Sequence, residues 1–244
     1  MVDVIDDLAA EQQRLEDLLA ALDDDAWSAP SAAAGWSIAD VVLHLAQTEE
    51  AVVFSVGNAG TPQMWQRGGE TVDGAAEAAV RAERASGQSV FERWKAARRA
   101  ALEALRSADP HQRVPWVAST LTSTALATTR LAEHWAHGLD ITGALGLPFP
   151  DTDRIRHIAW LGHRTLPYAY QVVGREPHDI YCELTGPGGE TWCYGPESAD
   201  SVIRGSAGEF CRVGAHRLPP DRTSLTTEGP HAAEALRVLR NYAD

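Results

Sequence analysis

Arg130-Leu131-Ala132-Glu133-His134-Trp135-Ala136-His137-Gly138-Leu139-Asp140 lies within a run that reads as a helix from Thr120 to Ala144. Leu121, Leu126 and Leu131 lead into it, and Gly143 and Gly146 mark its end. Side chains four residues apart on a helix stand one turn above the other, so Glu133 and His137 share a face. A carboxylate and an imidazole so placed can grip one divalent metal ion, and a third ligand must then come from another element. His44, on an earlier helical stretch, is the candidate. Two histidines and a glutamate leave one coordination position open, which distinguishes a catalytic zinc from a structural one. The residues alone leave choices open. His134 and His137 form a second pair three apart, so either can be the ligand. A polar seam would show the same pentapeptide, and His44 also reads as an ordinary core or boundary histidine.

Metals held between facing helices are a feature of bundles, and the first 146 residues are patterned for one. A helix is expected from Val4 to Leu22, where Ile5, Leu8, Leu15, Leu19 and Leu22 form an apolar stripe interrupted only by Gln12. Asp23-Asp24-Asp25 closes it, and Trp27 to Gly35 reads as a connection. Ser37 is a plausible N-cap for the next helix, with Asp40 three residues on as a variant capping box. That helix carries His44 and runs through Val41, Val42, Leu45, Val52, Val53 and Val56 to Gly57. Asn58 to Gly69, with Met64 and Trp65 among glycines and Pro62, reads as an aromatic loop. Val72 to Ser107 is a long helical region with a break expected near Gly87, and Phe91, Trp94, Leu102 and Leu105 supply the buried side of its second half. Asp109-Pro110 stops it, and Val114 to Val117 is extended. Four long amphipathic helices make a helical bundle the natural solution.

After Pro148-Phe149-Pro150 the character changes. One more helix is expected from Thr152 to about Tyr170. His178 to Leu184 alternates as a strand, and the turn Gly186-Pro187-Gly188-Gly189 leads to a hairpin partner at Glu190–Tyr194. Further strands are expected at 201–205 and 224–227, with short helices at 207–214 and 231–242. The fold class is therefore two-domain, a four-helix bundle over 1–148 followed by a smaller α+β domain over 149–244.

The 244 residues are 44% hydrophobic and 23% charged, enough to bury a sizeable core. A formal net charge of −13 without a basic patch argues against a nucleic-acid partner. No apolar run approaches the roughly 20 residues that span a bilayer, and the acidic N-terminus is unlike a signal peptide. Cys182, Cys193 and Cys211 show no Cys-x-x-Cys spacing, so ordinary thiols in a reducing cytoplasm are expected.

Trp36-Ser37-x-x-Asp40-x-x-x-His44-Leu45, followed downstream by Glu133-x-x-x-His137-x-x-Asp140, resembles the metal-binding signature of the DinB-like, mycothiol-dependent maleylpyruvate isomerase family. Arg130-Leu131, Trp135-Ala136-His137-Gly138 and Arg164-Thr165-x-Pro167-Tyr168 resemble an actinobacterial branch of it. The resemblance covers essentially the whole chain. It implies His44, Glu133 and His137 as ligands of zinc, or of another divalent ion such as Ni2+ or Fe2+. It implies a sterol-carrier-like C-terminal domain, with thiol cofactor and substrate bound between the two domains. His134 becomes a substrate-facing or supporting residue, Asp140 a supporting or capping acid, and Arg217 the nearest match to a basic residue that assists thiol binding.

A thiol entering the open position of such a site binds as thiolate. The implied activity is attack by mycothiol, or another low-molecular-weight thiol, on a small electrophilic substrate. Expulsion of the thiol after bond rotation makes an isomerase; retention makes a transferase. Two further readings are a hydrolase with zinc-bound water and His134 as base, and a non-catalytic metalloprotein that binds a small ligand. A monomer or homodimer is expected.

Overall fold

The computed structural model describes residues 3–58, 71–117 and 119–242. The loop read at Asn58 to Gly69 lies, from residue 59 on, outside them. The chain divides into two compact units, one running to Phe149 and the other Pro150–Tyr242.

In the first unit, α1 (Val4–Leu19) buries Leu8, Leu15 and Leu19. It stops short of Leu22 because the acidic run that follows is unfavourable at a helix C-terminus. That run opens a helix instead of closing one. Asp23 caps α2 (Asp24–Ser28), its Oδ1 accepting from Ala26 N at 2.9 Å, which places Trp27 in the core. The segment read as a plain connection thus begins with a helical turn.

α3 (Ile38–Asn58) starts on a reciprocal capping box. Asp40 N donates to Ser37 Oγ at 3.1 Å, and Ser37 N donates to Asp40 Oδ2 at 3.0 Å. The long region to Ser107 is two helices, α4 (Val72–Ala82) and α5 (Gly87–Ser107), with Ser86 capping the second. Gly87 does not interrupt a helix; it opens one. A Cβ there would sit 2.3 Å from the Trp27 ring, which packs on Phe91 with centroids 5.7 Å apart. Alanine is the better helix former by about 1 kcal/mol, yet overpacking costs about 1–3 kcal/mol. Gly87→Ala is therefore expected to lower stability in urea denaturation, against its propensity; a gain in stability would show that Trp27 yields freely.

Arg113–Trp116 (β1) and Ser119–Thr122 (β2) form an antiparallel hairpin, with Val114 opposite Leu121. The expected helix start at Thr120 is thus strand, as β-branched threonines paired across a hairpin favour. α6 (Ser123–Leu145) begins after Thr122, whose hydroxyl accepts from Ala125 N, and ends at Gly146 in the left-handed region, φ 64°. Helices α1, α3, α5 and α6 pack together as a bundle. Its core includes Leu15, Leu19, Ile38, Val41, Val42, Leu45, Phe91, Trp94 and Ile141.

The second unit opens with α7 (Ile155–Val172). Its sheet has the order β4-β3-β5-β6, built from β3 (Tyr181–Thr185), β4 (Thr191–Tyr194), β5 (Val202–Ser206) and β6 (Thr226–Glu228). The β3–β5 pair is parallel and the others antiparallel. α8 (Ala207–Gly214) lies against β3 and β5, α9 (Ala232–Val238) against β5 and β6, and both pack on α7. The first strand begins at Tyr181, not His178. The last helix is Ala232–Val238, shorter than the stretch read at 231–242. All three cysteines are free, and burial pushes the Cys182 thiol up to about 12. Among the described residues no helix is long and apolar enough to cross a membrane.

Candidate metal centre

His44 sits on the second turn of α3 and faces α6, whose own turn brings Glu133 and His137 to one side. Glu133 Oε2 lies 3.5 Å from His44 Nε2 and 3.5 Å from His137 Nε2. One ligand atom from each of the three falls within 4.8 Å of the others. Bonds of about 2.0–2.2 Å in a tetrahedron put neighbouring ligand atoms roughly 3.3–3.6 Å apart, so the two measured edges fit a zinc-sized ion.

The three residues are unequally supported. His137 Nδ1 is 2.9 Å from Asp140 Oδ2, one turn on along α6. A carboxylate only accepts, so the imidazole donates there and turns Nε2 toward the centre, a common backing for a ligand histidine. His44 Nδ1 is buried and has no hydrogen-bond partner among the described residues. Charge follows the same asymmetry. Burial lowers the His44 pKa, and its bond to Glu133 only partly offsets this. Burial also opposes charge on His137, but the hydrogen bonds to Asp140 and Glu133 outweigh it and raise its pKa. Burial alone would raise Glu133; bonds from His137 and His44 hold it well below the carboxylate range instead.

Two predictions arise here. Asp140→Ala is expected to weaken metal binding about 10–100-fold while the three ligands remain, measured by competition with a chelator; unchanged affinity would show that His137 needs no backing. Metal must displace the proton that His137 holds to higher pH than an ordinary histidine. Affinity should therefore fall as pH drops through the raised His137 pKa, beginning above the usual 6.5. Affinity that stays flat until well below pH 6.5 would contradict it.

His134, expected to face substrate or to support the site, is placed in the bundle core at 0% exposure. Its Nδ1 is 2.8 Å from the Arg130 carbonyl, which can only accept, so Nδ1 carries the hydrogen. Its Nε2 accepts from the Trp94 indole at 3.2 Å, with the Gln12 side-chain amide at 3.4 Å. Both nitrogens are engaged, and burial with the nearby Arg130 charge pulls its pKa down to about 3. A base at Nε2 would have to give up the Trp94 hydrogen bond, so the catalytic role expected for His134 has no free lone pair to work with in this arrangement. Gln12, the one break in the α1 stripe, is explained by the same contact.

Beside it lies an ion pair that the sequence did not reveal. Arg130, 2% exposed, donates from Nε to Glu49 Oε1 at 2.9 Å and from Nη2 to Thr48 Oγ1 at 2.6 Å. Glu49 is 0% exposed, and its Oε2 has no partner among the described residues. The available signal was Thr48-Glu49 inside an otherwise apolar helix face, a buried charge that demands a counter-charge elsewhere. Arg217 belongs to the second unit, on the turn after α8, where its Nη1 donates to the Ala215 carbonyl at 2.7 Å. Asp40, beyond its capping role, takes a hydrogen bond from Arg84 Nε at 2.9 Å.

A bundle whose α3 and α6 bring together two histidines and a glutamate falls in a known class. Residues 8–142 match the model of the mycothiol maleylpyruvate isomerase N-terminal domain, and the chain belongs to that family. It is 33% identical over 241 residues to an uncharacterized protein of Mycobacterium tuberculosis, found in two strains, covering 97% of this chain and 94% of the relative. Its fold is similar to the crystal structure of the mycothiol-dependent maleylpyruvate isomerase, with TM-score 0.65 and 16% identity over 94% of this chain and 99% of that one. A histidine-to-alanine mutant of that enzyme matches with TM-score 0.61 and 14% identity.

Proposed function

We propose that the chain is a metal-dependent enzyme that uses a low-molecular-weight thiol, mycothiol in the family reading, to isomerise a small conjugated substrate of the maleylpyruvate type. The observation that carries this is the spacing of His44 Nε2, Glu133 Oε2 and His137 Nε2, with His137 backed by Asp140, in a member of this family. These three residues are the assigned ligands. The first unit is the metal-binding bundle, and the second, from Pro150, is the sterol-carrier-like domain, in which Arg217 is the basic residue assigned to the thiol.

A divalent ion so held supplies an open position where a thiol is bound as its thiolate at neutral pH. The residues do the rest. Glu133 contributes the one negative charge among the ligands, so the centre stays cationic and favours an anion. Asp140 fixes the tautomer and direction of His137. A thiolate bound there would supply reversible addition to a conjugated alkene: the π pair would pass to the carbonyl oxygen, the bond would rotate, and return of the pair would expel the thiolate and give the trans product with no net redox change.

Thiol transfer follows from the same site where the substrate carries a leaving group. The hydrolase reading loses its base, because both nitrogens of His134 are engaged. The test is metal analysis of purified protein followed by an isomerisation assay on maleylpyruvate with and without mycothiol. Activity that needs both metal and thiol, and is lost in His44→Ala, supports the proposal. One divalent ion per chain with thiol-independent turnover of an ester would favour hydrolysis, and no bound metal would remove both.

A further inference from the structure

The segment ahead of α3 is not a slack connection. Pro30 and Ser37 form an antiparallel bridge, and Ile38 N donates to Ala29 O at 3.0 Å. Inside this loop the Trp36 carbonyl accepts from Ser31 N at 2.9 Å and from Ser31 Oγ at 2.9 Å, while Trp36 N donates to Ala33 O at 3.1 Å. Gly35 makes the turn at φ 80°, where a Cβ would be strained. The loop is also tied to α6, since Ala32 N donates to the Asp140 carbonyl at 3.0 Å. Residues 29–38 therefore form a closed bracket fastened both to the start of α3 and to the residue that backs His137.

The bracket delivers one large side chain. The half-buried Trp36 indole lies 5.2 Å from the His44 ring between centroids, tilted by 52°. It lies 6.4 Å from the His137 ring, stacked at 23°. The two imidazoles meet edge to face at 5.2 Å. His44 most needs such help, because among the described residues no hydrogen bond to its Nδ1 sets its rotation. Besides the Glu133 contact at Nε2, aromatic packing restrains that ring, and such pairs contribute beyond their buried area.

We infer that Trp36 is a positioning residue of the metal centre, an aromatic wall held by the 29–38 bracket that fixes the rotation of His44 and braces His137. This rests on the ligand assignment above. His137 is thus oriented by Asp140 and His44 by Trp36, and both supports come from one hydrogen-bonded unit, because the bracket is bound to Asp140.

The test uses the full chain loaded with Co2+ alone. It reads affinity by chelator competition, ligand geometry by the visible absorption bands, and the thermal midpoint of metal-free protein. Trp36→Phe, which keeps an aromatic face, is expected to bind within about threefold of wild type. Trp36→Leu should bind about 10–100-fold more weakly, the usual effect of removing a ligand's support, with altered bands and little change in the metal-free midpoint. Ser31→Ala, which loosens the bracket but leaves the indole and every ligand in place, should weaken binding roughly three- to tenfold. Wild-type affinity and bands in both Trp36→Leu and Ser31→Ala would overturn the inference. If Trp36→Leu fails to fold, Ser31→Ala decides: unchanged affinity overturns it, and a threefold or greater loss supports it. Failure of the wild-type chain to take up Co2+ would sink the ligand assignment itself, a result distinct from equal binding by all variants.

Discussion

Arg130→Met is expected to destabilise the metal-free protein by about 3–5 kcal/mol, the cost of removing one partner from a buried ion pair. The expectation is large because of what remains. Glu49 is fully buried, one of its oxygens already lacks a partner, and the Arg130 guanidinium is its counter-charge. Burial raises the Glu49 pKa and the Arg130 charge opposes the rise, so without Arg130 the carboxyl would protonate rather than stay charged. That escape still leaves the buried Glu49 carboxyl without the Arg130 donor, while Thr48 keeps its bonds to the His44 and Leu45 carbonyls. The double variant Arg130→Met, Glu49→Met should recover most of the loss, since replacing a whole buried pair by apolar groups of similar volume is often neutral or stabilising. Urea denaturation of the three proteins measures both effects. A single-variant loss below about 1 kcal/mol would mean that water reaches the pair, against its burial.

The second large effect is a contrast between neighbours. Glu133→Ala is expected to abolish metal binding with little loss of fold, because its carboxylate bridges the two imidazoles and is only partly shielded. His134→Ala is expected to do the reverse. It should retain one metal per chain while losing about 2–4 kcal/mol, from an unpaired Trp94 indole N–H together with a cavity. Metal content and denaturation midpoints, measured on the same samples, separate the two. A folded His134→Ala that no longer binds metal would exchange the roles assigned here.

Much of the bundle was legible because its helices carry period-3.6 stripes and one explicit cap. Ser37 and Asp40 name their helix start, and the structure has that box. Where local signals competed, the reading slipped. Asp23 to Asp25 can end one helix or cap another, and only the burial of Trp27 against Gly87 decides between them. Thr120 to Thr122 could join a helix or a hairpin, and pairing with Arg113 to Pro115 is a tertiary fact. In the site, the i, i+4 pair was readable from spacing, but the choice between His134 and His137 was not. It depends on which face of α6 meets α3, and so on where Trp94, Gln12 and the Arg130 carbonyl lie. The Glu49–Arg130 pair joins residues far apart in the chain, and no local pattern announces it.

Glu133, His137 and Asp140 ride one rigid helix, whereas His44 comes from another, so the two sides of the centre differ kinetically. An ion held as proposed above would have two donors at fixed separation on α6 and one from α3. Loss of His44 as α3 draws back would leave it on two donors, from which recapture by the nearby imidazole would compete with escape. Exchange of metal should accordingly be governed by the frequency with which α3 and α6 part. The Arg130 fork, which joins them at Thr48 and Glu49, would oppose that motion.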